Sequence, residues 1–125
     1  MENKQIAITQ FGDPDVLAVQ TNAVPEPQQG EVLVKVAFAG VNPIDVKTRA
    51  GLGWAASQNK DNLPWVLGYD ISGEVVTCGE QAKRFVAGDK VAGFIGFPLQ
   101  GGGYSQYVCV PVSYTHLTLP TRDDV

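Results

Sequence analysis

The chain has 125 residues, room for one ordinary domain and not for two. Hydrophobic residues at 44% and charged residues at 18% exclude a disordered acidic tail or a fibrous repeat and imply a real core. With 9 Lys+Arg against 13 Asp+Glu the net charge is -4, which opposes attraction to nucleic acid or to an anionic membrane surface, so neither is expected as a partner.

Lys4 to Thr9 reads as a first strand entering the Gly12-Asp13-Pro14 turn, with Leu17 to Thr21 as its partner. After Pro25 and Pro27, Glu31 to Ala39 alternates, with Val32, Val34, Val36 and Phe38 on one face and Glu31, Leu33, Lys35 and Ala37 on the other. Asn42-Pro43 is an N-cap followed by proline at the first helical position, so a short helix should run from Pro43 to about Arg49 and stop at Gly51. Gly51 to Pro64 reads as a polar, mobile loop.

Ile71 to Cys78 is a further strand, Gly88-Asp89 a tight turn, Lys90 to Phe94 a strand, and Tyr104 to Val110 the last one, after Gly101-Gly102-Gly103. Short strands separated by glycine turns, with one or two short helices, predict a mainly β fold: a partly open β-barrel whose core includes Val32, Val34, Val36, Phe38, Ile71, Val75, Val91 and Val108. Cys78 and Cys109 belong to no CxxC pair and are expected as two buried thiols in strands. No apolar leader precedes the first strand and no stretch is long enough to span a bilayer, which predicts a cytoplasmic protein.

Gly51-Leu52-Gly53-Trp54-Ala55-Ala56 has the spacing of a dinucleotide fingerprint, with Asp70 at a tempting distance, but it follows a helix where the fingerprint needs a buried strand. Gly101-Gly102-Gly103 fails as well, because Gln106 occupies the third glycine position and a strand follows. Neither segment is expected to hold a phosphate.

Three ordered segments carry a resemblance: Ala39 to Gly51 (AGVNPIDVKTRAG), Leu67 to Val75 (LGYDISGEV) and Phe85 to Val91 (FVAGDKV), closed by Gly101 to Pro111 (GGGYSQYVCVP). Together they are similar to the N-terminal GroES-like catalytic domain of the medium-chain dehydrogenase/reductase superfamily, in its zinc-free quinone oxidoreductase and alkenal reductase branch. Zinc-dependent alcohol dehydrogenases place a Cys ligand where Asn42 stands and a His ligand where Tyr69 stands, and a four-Cys lobe where this chain has no cysteine between Cys78 and Cys109. The resemblance therefore implies no zinc. It implies NADPH as cofactor, a quinone or enone as small-molecule substrate and a homodimeric parent.

The same resemblance implies that Lys47 supplies the cation that stabilises a developing enolate and that Asn42 orients the nicotinamide or substrate, with Asp45 and Tyr69 as further catalytic candidates. Each also has a structural reading. Asn42 can be a cap alone, Asp45 a favourable charge in the first helical turn, Lys47 a solvated lysine and Tyr69 a cover for the core. Asp70 and Asp89 are read as turn residues. In this family the cofactor lies mainly on a Rossmann domain, which is absent here, so residues 1–112 are expected to be an incomplete catalytic domain, inactive by itself. Residues 113–125, with the lone His116, resemble a translated cloning adapter; removing them leaves a net charge of about -3 and the same conclusions. The alternative is a GroES-like binding or structural module without activity.

Overall fold

The structure, a computed structural model, describes residues 2–96 and 101–112. In chain order its elements are β1 (Glu2–Ile8), a 3-10 turn (Pro14–Val16), β2 (Ala18–Ala23), β3 (Glu31–Gly40), α1 (Pro43–Arg49), α2 (Gly53–Asn59), β4 (Trp65–Val66), β5 (Asp70–Cys78), β6 (Lys90–Phe94) and β7 (Tyr107–Pro111). The strands form two antiparallel sheets, ordered β2-β1-β4 and β6-β5-β3-β7. The mainly β, partly open architecture read from the turn spacing is the one observed. The tail 113–125 and His116 lie outside the described residues.

The sheets meet at a seam between β1 and the segment leading into β7. Ile6 N–H donates to Tyr104 O at 2.8 Å and Gln106 N–H to Lys4 O at 3.0 Å, with Gln5 bridged to Ser105. Asn3, 1% exposed, extends this ladder with its side chain: Nδ2 donates to Tyr107 O and Oδ1 accepts from Tyr107 N–H, both at 2.9 Å. A carboxamide offers the donor and acceptor of a peptide group, so a buried Asn here satisfies main-chain groups that would otherwise be orphaned.

One core cluster joins Val32, Val34, Ile71, Val75, Phe85, Val91, Ile95 and Val110; a second joins Ile8, Ala55, Trp65, Leu67 and Tyr69. Val36 and Val108 are half-buried against the first cluster, while Phe38 is 76% exposed and outside it, contrary to the alternation. The cause is register: β3 is irregular against β5 between Leu33 and Val34 and again between Val36 and Phe38. Each slip resets which face a side chain takes. Gly73 permits the second irregularity, since a Cβ there would strike Lys35 O.

Two further expectations need correction. The segment expected as a mobile loop contains α2, whose Ala55, Ala56 and Asn59 turn inward, with Asn59 Nδ2 donating to Ala55 O at 2.9 Å. Neither cysteine is fully buried: Cys78 is exposed near the end of β5, Cys109 is intermediate on β7, and both are free. No helix among the described residues is long and apolar enough to cross a membrane.

Candidate functional site

The site begins where β3 ends. Gly40 pairs with Asp70, the first residue of β5, so the entry to α1 and the start of β5 lie side by side. Asn42 is extended, with φ -117° and ψ 160°, and Pro43 opens α1 at the first helical position. Asp45 N–H donates to Asn42 main-chain O at 2.9 Å, and Asn42 N–H donates back to Asp45 Oδ2 at 2.9 Å. The carboxylate thus satisfies a helix-terminus donor and sits where the helix dipole favours negative charge. The Asn42 carboxamide donates through Nδ2 to Asp70 Oδ2 at 3.3 Å.

Asp45 is 2% exposed, and its Oδ1 is buried without a hydrogen-bond partner. Burial first, then the charge of Asp45, pushes the Tyr69 phenol from its ordinary 10 up to about 12. Tyr69 has no exposed surface; its ring packs against Phe94 with centroids 5.5 Å apart and planes at 32°. Tyr69 is thus part of the second core cluster. Lys47 lies in the last turn of α1 and is exposed, with no ion pair among the described residues. Its neighbour Arg49 is committed instead, with Nη1 donating to Gly12 O at 2.6 Å.

A pocket of about 140 Å³ opens beside α1 between Leu17, Val41, Asp45, Val46, Arg49 and Tyr104. A larger groove of about 510 Å³ is lined by residues of β3, β5 and β6, Lys35, Phe38, Ser72, Glu74 and Lys90 among them, and neither Asn42 nor Lys47 is in its lining. Of the four residues singled out in the sequence, Asn42, Asp45 and Tyr69 are brought together by bond or charge, and Lys47 stands on the solvent side of the same helix.

Two residues of this neighbourhood escaped the sequence reading. Asp70 is a strand residue and not a turn residue; the period-2 pattern of Asp70 to Val75, with Ile71, Gly73 and Val75 inward, already places its side chain off the core. Asp89 does close a turn, accepting from Val86 N–H at 2.9 Å. Tyr104, half-buried, donates its hydroxyl to Gly40 O at 3.3 Å. Its only sequence signal is the glycine before it, which lets Gly103 N–H reach Gly68 O at 2.8 Å.

The family described as alcohol dehydrogenase GroES-like domain matches residues 28–121. A quinone oxidoreductase of Lama guanicoe is 35% identical over 122 residues, covering 97% of this chain and 34% of the relative. The 2-methylene-furan-3-one reductase of Solanum lycopersicum is 38% identical over 115 residues, covering 87% and 29%. Among solved structures, the quinone oxidoreductase from Coxiella burnetii has a TM-score of 0.89 at 41% identity, covering 98% of this chain and 38% of that one. The chain thus spans about a third of the length of the relatives it matches.

Proposed function

The chain belongs to the alcohol dehydrogenase GroES-like domain family, and from that premise we propose that it is the substrate-side domain of a cytoplasmic, NADPH-dependent reductase of quinones or α,β-unsaturated carbonyls that works without zinc. The names of the two similar curated proteins support the reaction class. The observation that carries the zinc-free reading is the donor set. Zinc takes thiolate, imidazole or carboxylate, whereas Asn42 offers a carboxamide engaged with Asp70, and Tyr69 a buried phenol whose deprotonation burial and the Asp45 charge disfavour. Among the described residues no three His, Cys, Asp or Glu side chains are grouped to hold a metal. The donor set does not fit zinc, and no step is assigned to one.

The fit to a dinucleotide is partial. The Gly51 to Ala56 segment joins α1 to α2, so it does not leave a strand as a phosphate-binding loop must. Asn42 would hold the nicotinamide end through its carboxamide, and the phosphates would rest on residues beyond this chain. When bound, such a cofactor supplies a hydride. Hydride arriving at the β-carbon of an enone moves the C=C pair toward the carbonyl, leaving an enolate whose oxygen carries the charge and whose α-carbon then takes a proton. Lys47 is the residue for that charge: an exposed ammonium one helical turn beyond Asn42, without an ion pair among the described residues and stronger toward an enolate than toward a neutral carbonyl. The parent would act on small molecules as a homodimer, with no role for nucleic acid.

The test is kinetic, in a full-length protein carrying this domain. Lys47→Ala should lower enone turnover by roughly a hundred- to a thousand-fold, the usual loss of about 2.7–4 kcal/mol for one such donor, with NADPH affinity kept. Lys47→Arg retains charge with altered donor geometry and should fall between. Unchanged kcat in Lys47→Ala ends the catalytic role, and a selective loss of NADPH affinity reassigns Lys47 to the cofactor.

A further inference from the structure

The candidate site is assembled from two separate pieces of chain, the Gly40 to Asp45 entry to α1 and the Leu67 to Asp70 entry to β5. Their direct side-chain link, from Asn42 to Asp70, is exposed, so water competes with it. A third segment does more. Tyr104 N–H donates to Leu67 O at 2.9 Å, Tyr104 O accepts from Ile6 N–H at 2.8 Å, and the preceding Gly103 N–H donates to Gly68 O at 2.8 Å. Its main chain is therefore pinned to β1 and to the approach to β5 together.

The Tyr104 ring is held as tightly as its main chain. Gly68 has a φ of +98°, and a Cβ built on it would lie 2.6 Å from Tyr104 Cδ1 and 2.9 Å from Cε1, so the ring rests flush on the glycine. From this fixed position the hydroxyl reaches Gly40 O at 3.3 Å, two residues before Asn42. It also borders the 140 Å³ pocket that Asp45 lines, and Asp45 Oδ1 is a buried acceptor without a partner. Burial, and after it the charge of Asp45, raises the Tyr104 phenol above its ordinary value, as expected of a hydroxyl facing a carboxylate at close range.

We propose that Tyr104 is a positioning residue of the candidate site: seated on Gly68, its hydroxyl holds the Asn42–Asp45 start of α1 in register with the Tyr69–Asp70 start of β5. The proposal deepens the functional reading above and rests on it for the meaning of the site, although the clamp itself is a property of this chain alone. Without the hydroxyl the ring still fills its seat on Gly68, while Gly40 O, two residues before Asn42, loses the side-chain donor that ties it to the Leu67–Tyr104 segment.

Amide hydrogen exchange on the 125-residue chain tests this without any turnover. In Tyr104→Phe, the amides of Asn42 and Asp45 should exchange roughly fivefold faster or more, while those of Val34 and Val75 in the ladder stay unchanged, since opening is local. Equal acceleration of all four amides would reduce Tyr104 to a general stabilising residue and overturn the proposal, as would no change at Asn42 and Asp45. A second reading needs no variant: in the unaltered chain the Tyr104 hydroxyl proton should exchange slowly enough to give a deuterium isotope shift at Cζ, and a freely exchanging hydroxyl would also overturn the proposal. Because neither measurement involves activity, failure of the clamp leaves the reductase reading standing, and absence of reductase activity leaves the clamp standing.

Discussion

Asp45 has two jobs at the start of α1, and the second follows from the first. Accepting the Asn42 amide fixes the carboxylate inside the protein, where its charge is felt by Tyr69 more strongly than it would be in water. The consequence for pH has a definite sign. A phenol whose folded value is about 12 against an ordinary 10 favours the native state only while it is protonated. Its contribution is complete below pH 10 and is lost as pH rises through 10 to about 12. Tyr69→Phe removes that contribution, so thermal melts taken across this range should show a shallower alkaline fall in Tm than the unaltered chain. Identical slopes would mean that Tyr69 is not held neutral by its surroundings. The Asn42, Pro43 and Asp45 pattern was legible in the sequence because a cap is a local object, settled within four residues. Asp70 and Tyr104 were less legible, since their partners lie 28 and 64 residues away and only the folded chain brings them together.

Among the elements, α1 runs from Pro43 to Arg49 as its caps predict, whereas α2 was hidden by its composition. Gly53, Ser57, Gln58 and Asn59 look like a loop, and the inward face is two alanines and an asparagine, too small and polar to register as an apolar stripe. The opposite error occurred in β3, where clean alternation promised a buried Phe38 and the irregular pairing delivered an exposed one. That difference is measurable. Val34 has no exposed surface, and Val34→Ala should cost about 2 kcal/mol through lost methyl burial and the cavity left behind. Phe38→Ala, although a larger truncation, should change stability by about 0.5 kcal/mol or less. Equilibrium urea unfolding of the two variants compares them directly; a larger loss at Phe38 than at Val34 would contradict the observed register.

At the scale of the whole molecule, the seam between β1 and the Tyr104 to Tyr107 segment joins the two sheets, and the same segment carries Tyr104 to the edge of the candidate site. The joining of the two sheets and the assembly of the candidate site thus share residues. The spacing of turns revealed a mainly β domain, but it does not encode which strands meet across a seam built partly from the side chain of Asn3. Phe38, Val41 and Trp54 remain at least half exposed on this domain. The relatives it matches are about three times its length.

The most direct measurement of the central claim joins residues 1–112 to the remaining two thirds of a quinone oxidoreductase relative. It follows NADPH oxidation with a quinone or an enone, before and after dialysis against a chelator, with the 125-residue chain alone as control. The expected result is substrate-dependent NADPH oxidation by the chimera at a rate unchanged by the chelator, and neither oxidation nor micromolar NADPH affinity for the chain alone. A folded chimera that binds NADPH yet reduces neither substrate, or one whose activity is lost to the chelator and restored by zinc, would contradict it.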